Sequence, residues 1–152
     1  MGTQLRVEAK AVTRASRELV WSMVSDASAY ARWGPWDASG EETSDDGGGE
    51  QGVGSVRWMR LGRTRTVERI LEIEPAHRLV YTVVRGVPVR NYRAEVVLDP
   101  LDSGTAIRWI ATWDRTILGR IVHRRLATFY PEMVNQLVAS ADAATATGGG
   151  GA

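Results

Sequence analysis

VGSVRWMRLGRTRTVERILEI, residues 53–73, is the stretch whose reading decides the fold. Two runs with period-two alternation flank Gly62-Arg63, and glycine at the first central position suits a two-residue type II′ hairpin turn. Such a turn pairs Leu61 with Thr64 and so sets Arg57 directly opposite Glu68, on one face of the hairpin. Alternation adds Ser55, Met59 and Leu61 to that face, and the apolar pair Met59 and Leu61 marks it as the inner one. The competing face, Val56, Trp58 and Arg60, is not much poorer in apolar surface, so the choice of inner face stays open at this level.

Outward from this hairpin the same reading recurs. Strands are predicted over Leu5 to Val12, Asp37 to Thr43, Val53 to Leu61, Thr64 to Ile73, Arg78 to Arg85, Arg90 to Leu98 and Thr105 to Asp114. Leu79, Tyr81 and Val83 then share a face with Tyr92, Ala94, Val96 and Leu98, and the turn from Asp99 to Gly104 pairs Val96 with Ile107 and Ala94 with Trp109. Trp113 continues that face, while Arg93, Glu95, Arg108 and Thr112 point to the other side. Between the first two strands, Ser16 caps a helix from Arg17 to Val24 whose Leu19, Val20, Met23 and Val24 share one side. Asp26 caps a second short helix that ends near Trp33, stopped by Gly34-Pro35.

Helical spacing returns from Ile117 to Ala141, with Pro131 inside the run and a kink or break expected near Tyr130. Arg115, Arg120, Arg124 and Arg125 decorate its first half, as a solvated face or as an anion site. Residues 1–141 are thus expected to form one domain, and the Gly/Ala-rich residues 142–152 a disordered tail. The Gly-rich stretch from Asp45 to Gly52 is acidic and lacks lysine, so it reads as a hairpin loop and not as a phosphate cradle.

The 152 residues hold 19 basic and 18 acidic side chains, a net charge of +1 that gives no bulk case for nucleic acid or an anionic membrane; any basic patch has to be local. With no cysteine and two histidines, the chain lacks the ligands of thiolate metal sites, and neither a metal nor another cofactor is expected. No run approaches the roughly 18 apolar residues of a membrane span, and a cytoplasmic location is expected. Six tryptophans and four tyrosines stand against a single Phe129, so most large rings here carry a polar handle.

The order strand, two short helices, six strands, long helix resembles the helix-grip fold of the START-like, Bet v 1-like superfamily, and within it the bacterial polyketide cyclase/dehydrase group. The likeness is carried by ELVWSMVSDASAYARW, VGSVRWMRLG, VERILEIEP with RLVYTVVRGVPVRNYRAEV, and GTAIRWIATW, and spans about residues 5 to 140. It implies an α+β fold in which a curved seven-stranded antiparallel sheet wraps around the C-terminal helix. It also implies an internal cavity for a hydrophobic small molecule, polycyclic or polyketide-like. Members of the superfamily include cyclases, carriers, receptors and co-chaperones, so the resemblance names no single activity.

Met59, Tyr81, Val83, Tyr92, Val96, Trp109, Trp113 and Tyr130 are the candidate ligand-binding residues, with Arg57 and Glu68 as a polar floor. An inward arginine can hold an enolate or carbonyl oxygen, and a desolvated glutamate can serve as a general base. The alternative is that Arg57 and Glu68 neutralise one another as a scaffold ion pair. Trp21 and Trp33 read as packing residues, His123 as exposed and His77 as part of a turn, while Gly86-Val87-Pro88-Val89 is either a portal element or a plain turn.

Overall fold

The computed structural model describes residues 3–42 and 52–149. Seven antiparallel strands form one sheet in the order β1-β7-β6-β5-β4-β3-β2. They are β1 (Gln4–Thr13), β2 (Ala38–Glu41), β3 (Val56–Leu61), β4 (Thr64–Glu74), β5 (Arg78–Arg85), β6 (Arg93–Leu101) and β7 (Gly104–Asp114). Helices α1 (Arg17–Val24) and α2 (Tyr30–Trp33) follow β1, and α3 (Ile117–Gly149) packs along β1 and β7. This is the helix-grip architecture expected from the order of elements.

Local chemistry accounts for the element ends. Ser16 is extended and its Oγ accepts from Leu19 N at 3.1 Å, satisfying one of the orphan donors of α1. Asp26 accepts from Ser28 N at 3.0 Å and starts the 3-10 turn Ala27–Ala29 that leads into α2. At the other end of α1 the orphan carbonyls are taken by side chains: Trp33 Nε1 donates to Met23 O at 3.0 Å, and Tyr30 Oη to Val24 O at 2.7 Å.

The β3–β4 hairpin has the register read from Gly62-Arg63: Leu61 faces Thr64 and Arg57 faces Glu68. Gly62 sits at φ +61, where only glycine is unstrained, while Arg63 keeps a negative φ, as a type II′ turn requires. The Arg57 face is the inner one: Arg57 and Met59 are buried, whereas Arg60 and Arg65 are exposed and Arg65 lies over the Trp58 ring.

The β6–β7 register differs from the expected one by two residues. Val96 faces Trp109 and Ala94 faces Ala111, because both strands run on to a tight turn at Asp102-Ser103, with Leu101 opposite Gly104. A shift of two preserves the face, so Ala94, Val96, Ile107, Trp109 and Trp113 are all buried inward as expected. The loop predicted at 45–52 lies, but for Gly52, outside the described residues.

The sequence-based tail is corrected at α3. The helix continues past Ala141 to Gly149, where a disordered tail was expected, and Pro131 lies within it without ending it. Alanine-rich sequence propagates a helix once tertiary contacts hold it, and Asp142 supplies such a contact. Its Oδ1 accepts from Thr13 Oγ1 at 2.6 Å and from Arg14 N at 2.9 Å, and these bonds hold the carboxyl below its usual pKa.

Gly104 has φ +151, and a Cβ there would stand 1.9 Å from the carbonyl oxygen of Thr13. Gly104→Ala is expected to cost at least about 1–3 kcal/mol by strain, read as a lower urea midpoint at unchanged m-value.

Candidate functional site

A cavity of about 250 Å³ lies between the inner face of the sheet and α3. Its wall is apolar and aromatic: Tyr30, Trp36, Met59, Tyr81, Val83 and Trp109 from one side, Val122, Leu126, Phe129, Tyr130 and Met133 from α3. Leu61, Thr64, Thr66, Glu68, Tyr92, Arg125 and the loop residues Gly86, Val87 and Pro88 complete the lining. Gly86 is needed there, since it sits at φ +101 and a Cβ would stand 2.2 Å from the Arg65 carbonyl oxygen.

Glu68 is the single acidic group of the lining. Two register shifts flank it in the β4–β5 pairing, one between Val67 and Glu68 and one between Ile70 and Glu72. Such bulges bend a strand and re-aim its side chains, and Glu68 is the one cavity-lining residue between them, Thr64 and Thr66 lying before the first. Arg57 is wholly buried behind Glu68 and does not reach the cavity wall. Its Nε donates to Glu68 Oε1 at 2.9 Å and its Nη1 to Val24 O at 3.2 Å. The guanidinium carbon lies 4.6 Å from the ring centroids of both Tyr30 and Tyr81, so the cation is clamped between two π faces. Arg57 is thus held against Glu68 and is not among the residues that line the cavity, while its Nη2 is buried with no hydrogen-bond partner.

Burial raises the Glu68 carboxyl above the usual carboxylate range, and the charge and hydrogen bond of Arg57 pull only partly against it. Burial also works against the Arg57 charge, but the surrounding oxygens of Tyr30 and Glu68 outweigh it and the side chain stays cationic. Tyr30 is pushed up to about 12, chiefly by burial.

A second polar feature is a group of tyrosine hydroxyls. Tyr92 Oη and Tyr130 Oη are in direct hydrogen-bond contact, and Trp109 Nε1 donates to Tyr81 Oη at 3.1 Å. Burial pushes the pKa values of Tyr81, Tyr92 and Tyr130 well above the usual value, so all three are neutral hydroxyls in the working pH range. The cavity thus offers a carboxyl and a set of neutral hydroxyl donors around an apolar space.

Of the candidate ligand-binding residues, Met59, Tyr81, Val83, Tyr92, Trp109 and Tyr130 line this cavity. Val96 and Trp113 do not: Val96 is fully buried in the core, and Trp113 stacks on Tyr92 at 5.8 Å while its Nε1 donates to Gly119 O at 2.9 Å. His123 is also turned away, its Nε2 donating to the Arg6 carbonyl at 3.1 Å. Trp36 and Phe129, which the sequence reading did not single out as ligand contacts, pack on one another at 5.8 Å in the lining. A signal for Phe129 existed in its place in the helically spaced apolar series of α3. Among the described residues no group of His, Asp or Glu is placed to hold a metal ion.

Arg57→Met leaves a buried carboxyl facing no cation and is expected to cost about 3–5 kcal/mol in urea unfolding, while Arg57→Met with Glu68→Leu recovers most of it. Because Glu68 holds its proton more tightly folded than unfolded, its contribution to stability is lost as pH rises from its reference value of 4.5 through the raised folded value. Glu68→Gln removes that loss, so the stability difference between Glu68→Gln and wild type should grow across this window.

The residues 4–143 match the family model described as polyketide cyclase / dehydrase and lipid transport. Among solved structures, a protein from Nitrosospira multiformis is similar with a TM-score of 0.72 at 20% identity, covering 89% of this chain and 94% of its own. A Thermobifida fusca protein gives a TM-score of 0.71 at 24% identity over 90% of this chain and 92% of its own, and one from Bacillus thuringiensis 0.71 at 15% over 90% and 98%. At these identities the neighbours speak to the fold alone, and no curated protein matches the chain. The family match over nearly the whole chain, on a helix-grip fold with an aromatic cavity, makes this protein a member of the polyketide cyclase / dehydrase and lipid transport family.

Proposed function

We propose that the cavity holds a small apolar molecule bearing ketone or phenol oxygens and that Glu68 acts on it as a general base in cyclisation and dehydration. The observation that carries the reading is the placement of one carboxyl and several neutral tyrosine hydroxyls around a single apolar space. A volume of about 250 Å³ falls just below the roughly 300–1,000 Å³ of typical ligand pockets, which favours a ligand of one or two rings or a short poly-ketone over a large polycycle. The cavity also speaks against a purely protein-binding module, for which a filled core would serve.

In this reading the wall folds the chain of a poly-ketone into a reactive conformer, which can supply much of the rate. Glu68 takes a proton from the carbon between two carbonyls, and that carbon bonds to a second carbonyl carbon. A tyrosine hydroxyl donates to the oxygen that gains charge, and the proton held by Glu68 ends on it as a new hydroxyl. Glu68 then removes a second proton from the same carbon, the hydroxyl leaves, and that proton departs with it as water. The carboxylate is restored and the steps need no cofactor. A carrier without chemistry is the second reading, favoured by the occupied state of Glu68 Oε1, which Arg57 already holds.

The test is to equilibrate the protein with linear poly-ketones and small aromatic phenols, remove free ligand, denature, and identify the bound molecules by mass spectrometry. A dehydrated product absent from the protein-free control is expected, with Glu68→Gln retaining binding and losing turnover by about 10²-fold or more. Unaltered ligand from the wild type would instead establish the carrier. Val83→Trp, which places an indole in the cavity, should abolish binding in either case while leaving the fold intact.

A further inference from the structure

The first half of α3 presents large aliphatic side chains to solvent: Ile117 is 82% exposed, Leu118 53% and Ile121 57%. Arg115, Arg120, Arg124 and Arg125 are interleaved with them, and no acidic residue occurs between Asp114 and Glu132. None of these four arginines enters an ion pair among the described residues. In a chain of net charge +1, four arginines with no acidic residue among them make this surface locally positive.

Helix geometry joins that surface to the cavity. At about 100° per residue Ile117, Ile121 and Arg124 share a stripe, bordered by Arg120 on one side and by Leu118 and Arg125 on the other. Arg125 itself lines the cavity, next to Val122 and Leu126. The exposed stripe therefore meets the cavity rim at Arg125, and the rim adds Leu61, 43% exposed, from the β3–β4 hairpin. The N-terminal end of α3, where Thr116 Oγ1 accepts from Gly119 N at 2.9 Å, contributes partial positive charge at the same end.

We propose that this face docks the protein on an anionic lipid bilayer, with the arginines on headgroup phosphates and Ile117, Leu118 and Ile121 in the headgroup–acyl boundary. Aliphatic side chains set among arginines on one helical face are the pattern of an interfacial helix. Side chains this exposed protrude from the surface, which suits a fluid layer that closes around them better than a rigid protein needing a matching hollow. The orientation turns the cavity mouth to the lipid, so an apolar ligand passes between bilayer and cavity without crossing water. The docking itself does not depend on what the cavity holds or does.

The experiment is co-sedimentation of the full chain, without ligand, with vesicles of phosphatidylcholine alone or mixed with phosphatidylglycerol. Binding is expected to the mixed vesicles only and to fall steeply with added salt. Arg120→Glu with Arg124→Glu, and separately Ile117→Ser with Ile121→Ser, should each weaken it about tenfold or more, with the near-ultraviolet circular dichroism of the tryptophans unchanged. Failure to bind the mixed vesicles at low salt overturns the proposal, as does binding that neither double variant weakens. A concentration-dependent dimer that ignores vesicles and is dissolved by Ile117→Ser with Ile121→Ser also overturns it, assigning the face to a second copy.

Discussion

The guanidinium of Arg57 ties together more of the molecule than any other side chain. From β3 it bonds Glu68 on β4, the Val24 carbonyl at the end of α1, and the ring faces of Tyr30 on α2 and Tyr81 on β5. A fully buried cation survives only if its surroundings replace the water it has lost. That requirement constrains the elements around it: α1 has to end where the Val24 carbonyl can be turned inward, and Tyr30, the first residue of α2, has to stack on the cation. The two short helices are thus held to the sheet by a charge as well as by apolar packing.

The same constraint shapes the cavity. Arg57 gives Nε to one carboxylate oxygen and Nη1 to a carbonyl and leaves Nη2 without a partner, so burial outweighs its pull on Glu68 and the carboxyl's pKa is raised. Around it, rings that carry polar handles fill the interior so that nearly every handle finds a partner: Trp33 on Met23, Trp109 on Tyr81, Trp113 on Gly119, Tyr92 on Tyr130. The excess of tryptophan and tyrosine over phenylalanine has this physical meaning here. Each of these rings brings a bond that fixes its orientation as well as its area.

Much of this was legible in the sequence because strands obey parity. Gly62 alone determined that Arg57 and Glu68 meet, and period-two alternation placed Met59, Tyr81, Trp109 and Ala94 on one side. Parity does not determine how far a hairpin extends, so the β6–β7 register came out two residues short while every side chain kept its face. Nor does it say where along the sheet the space lies, which is why Val96 and Trp113 were grouped with residues that line the cavity although they pack elsewhere. The contributions of α2, Trp36 and α3 depend on how helices lie over the sheet, and no local pattern encodes that. The end of α3 was missed for a related reason: its last turns are held by a contact between residues 13 and 142, far apart in sequence.

That contact divides α3 into two unlike halves. Toward the C-terminus, Tyr130, Met133, Val134, Leu137 and Ala141 are buried and Asp142 latches the helix to the end of β1. Toward the N-terminus only Gly119 is buried before Tyr130, and the helix stands over the cavity. Resistance to local opening is therefore graded along one continuous rod, anchored like a beam at one end and lightly seated at the other. Widening of the cavity mouth and loss of the folded state draw on different sets of contacts, so the chain can let a guest in and out without loosening the core that keeps it folded.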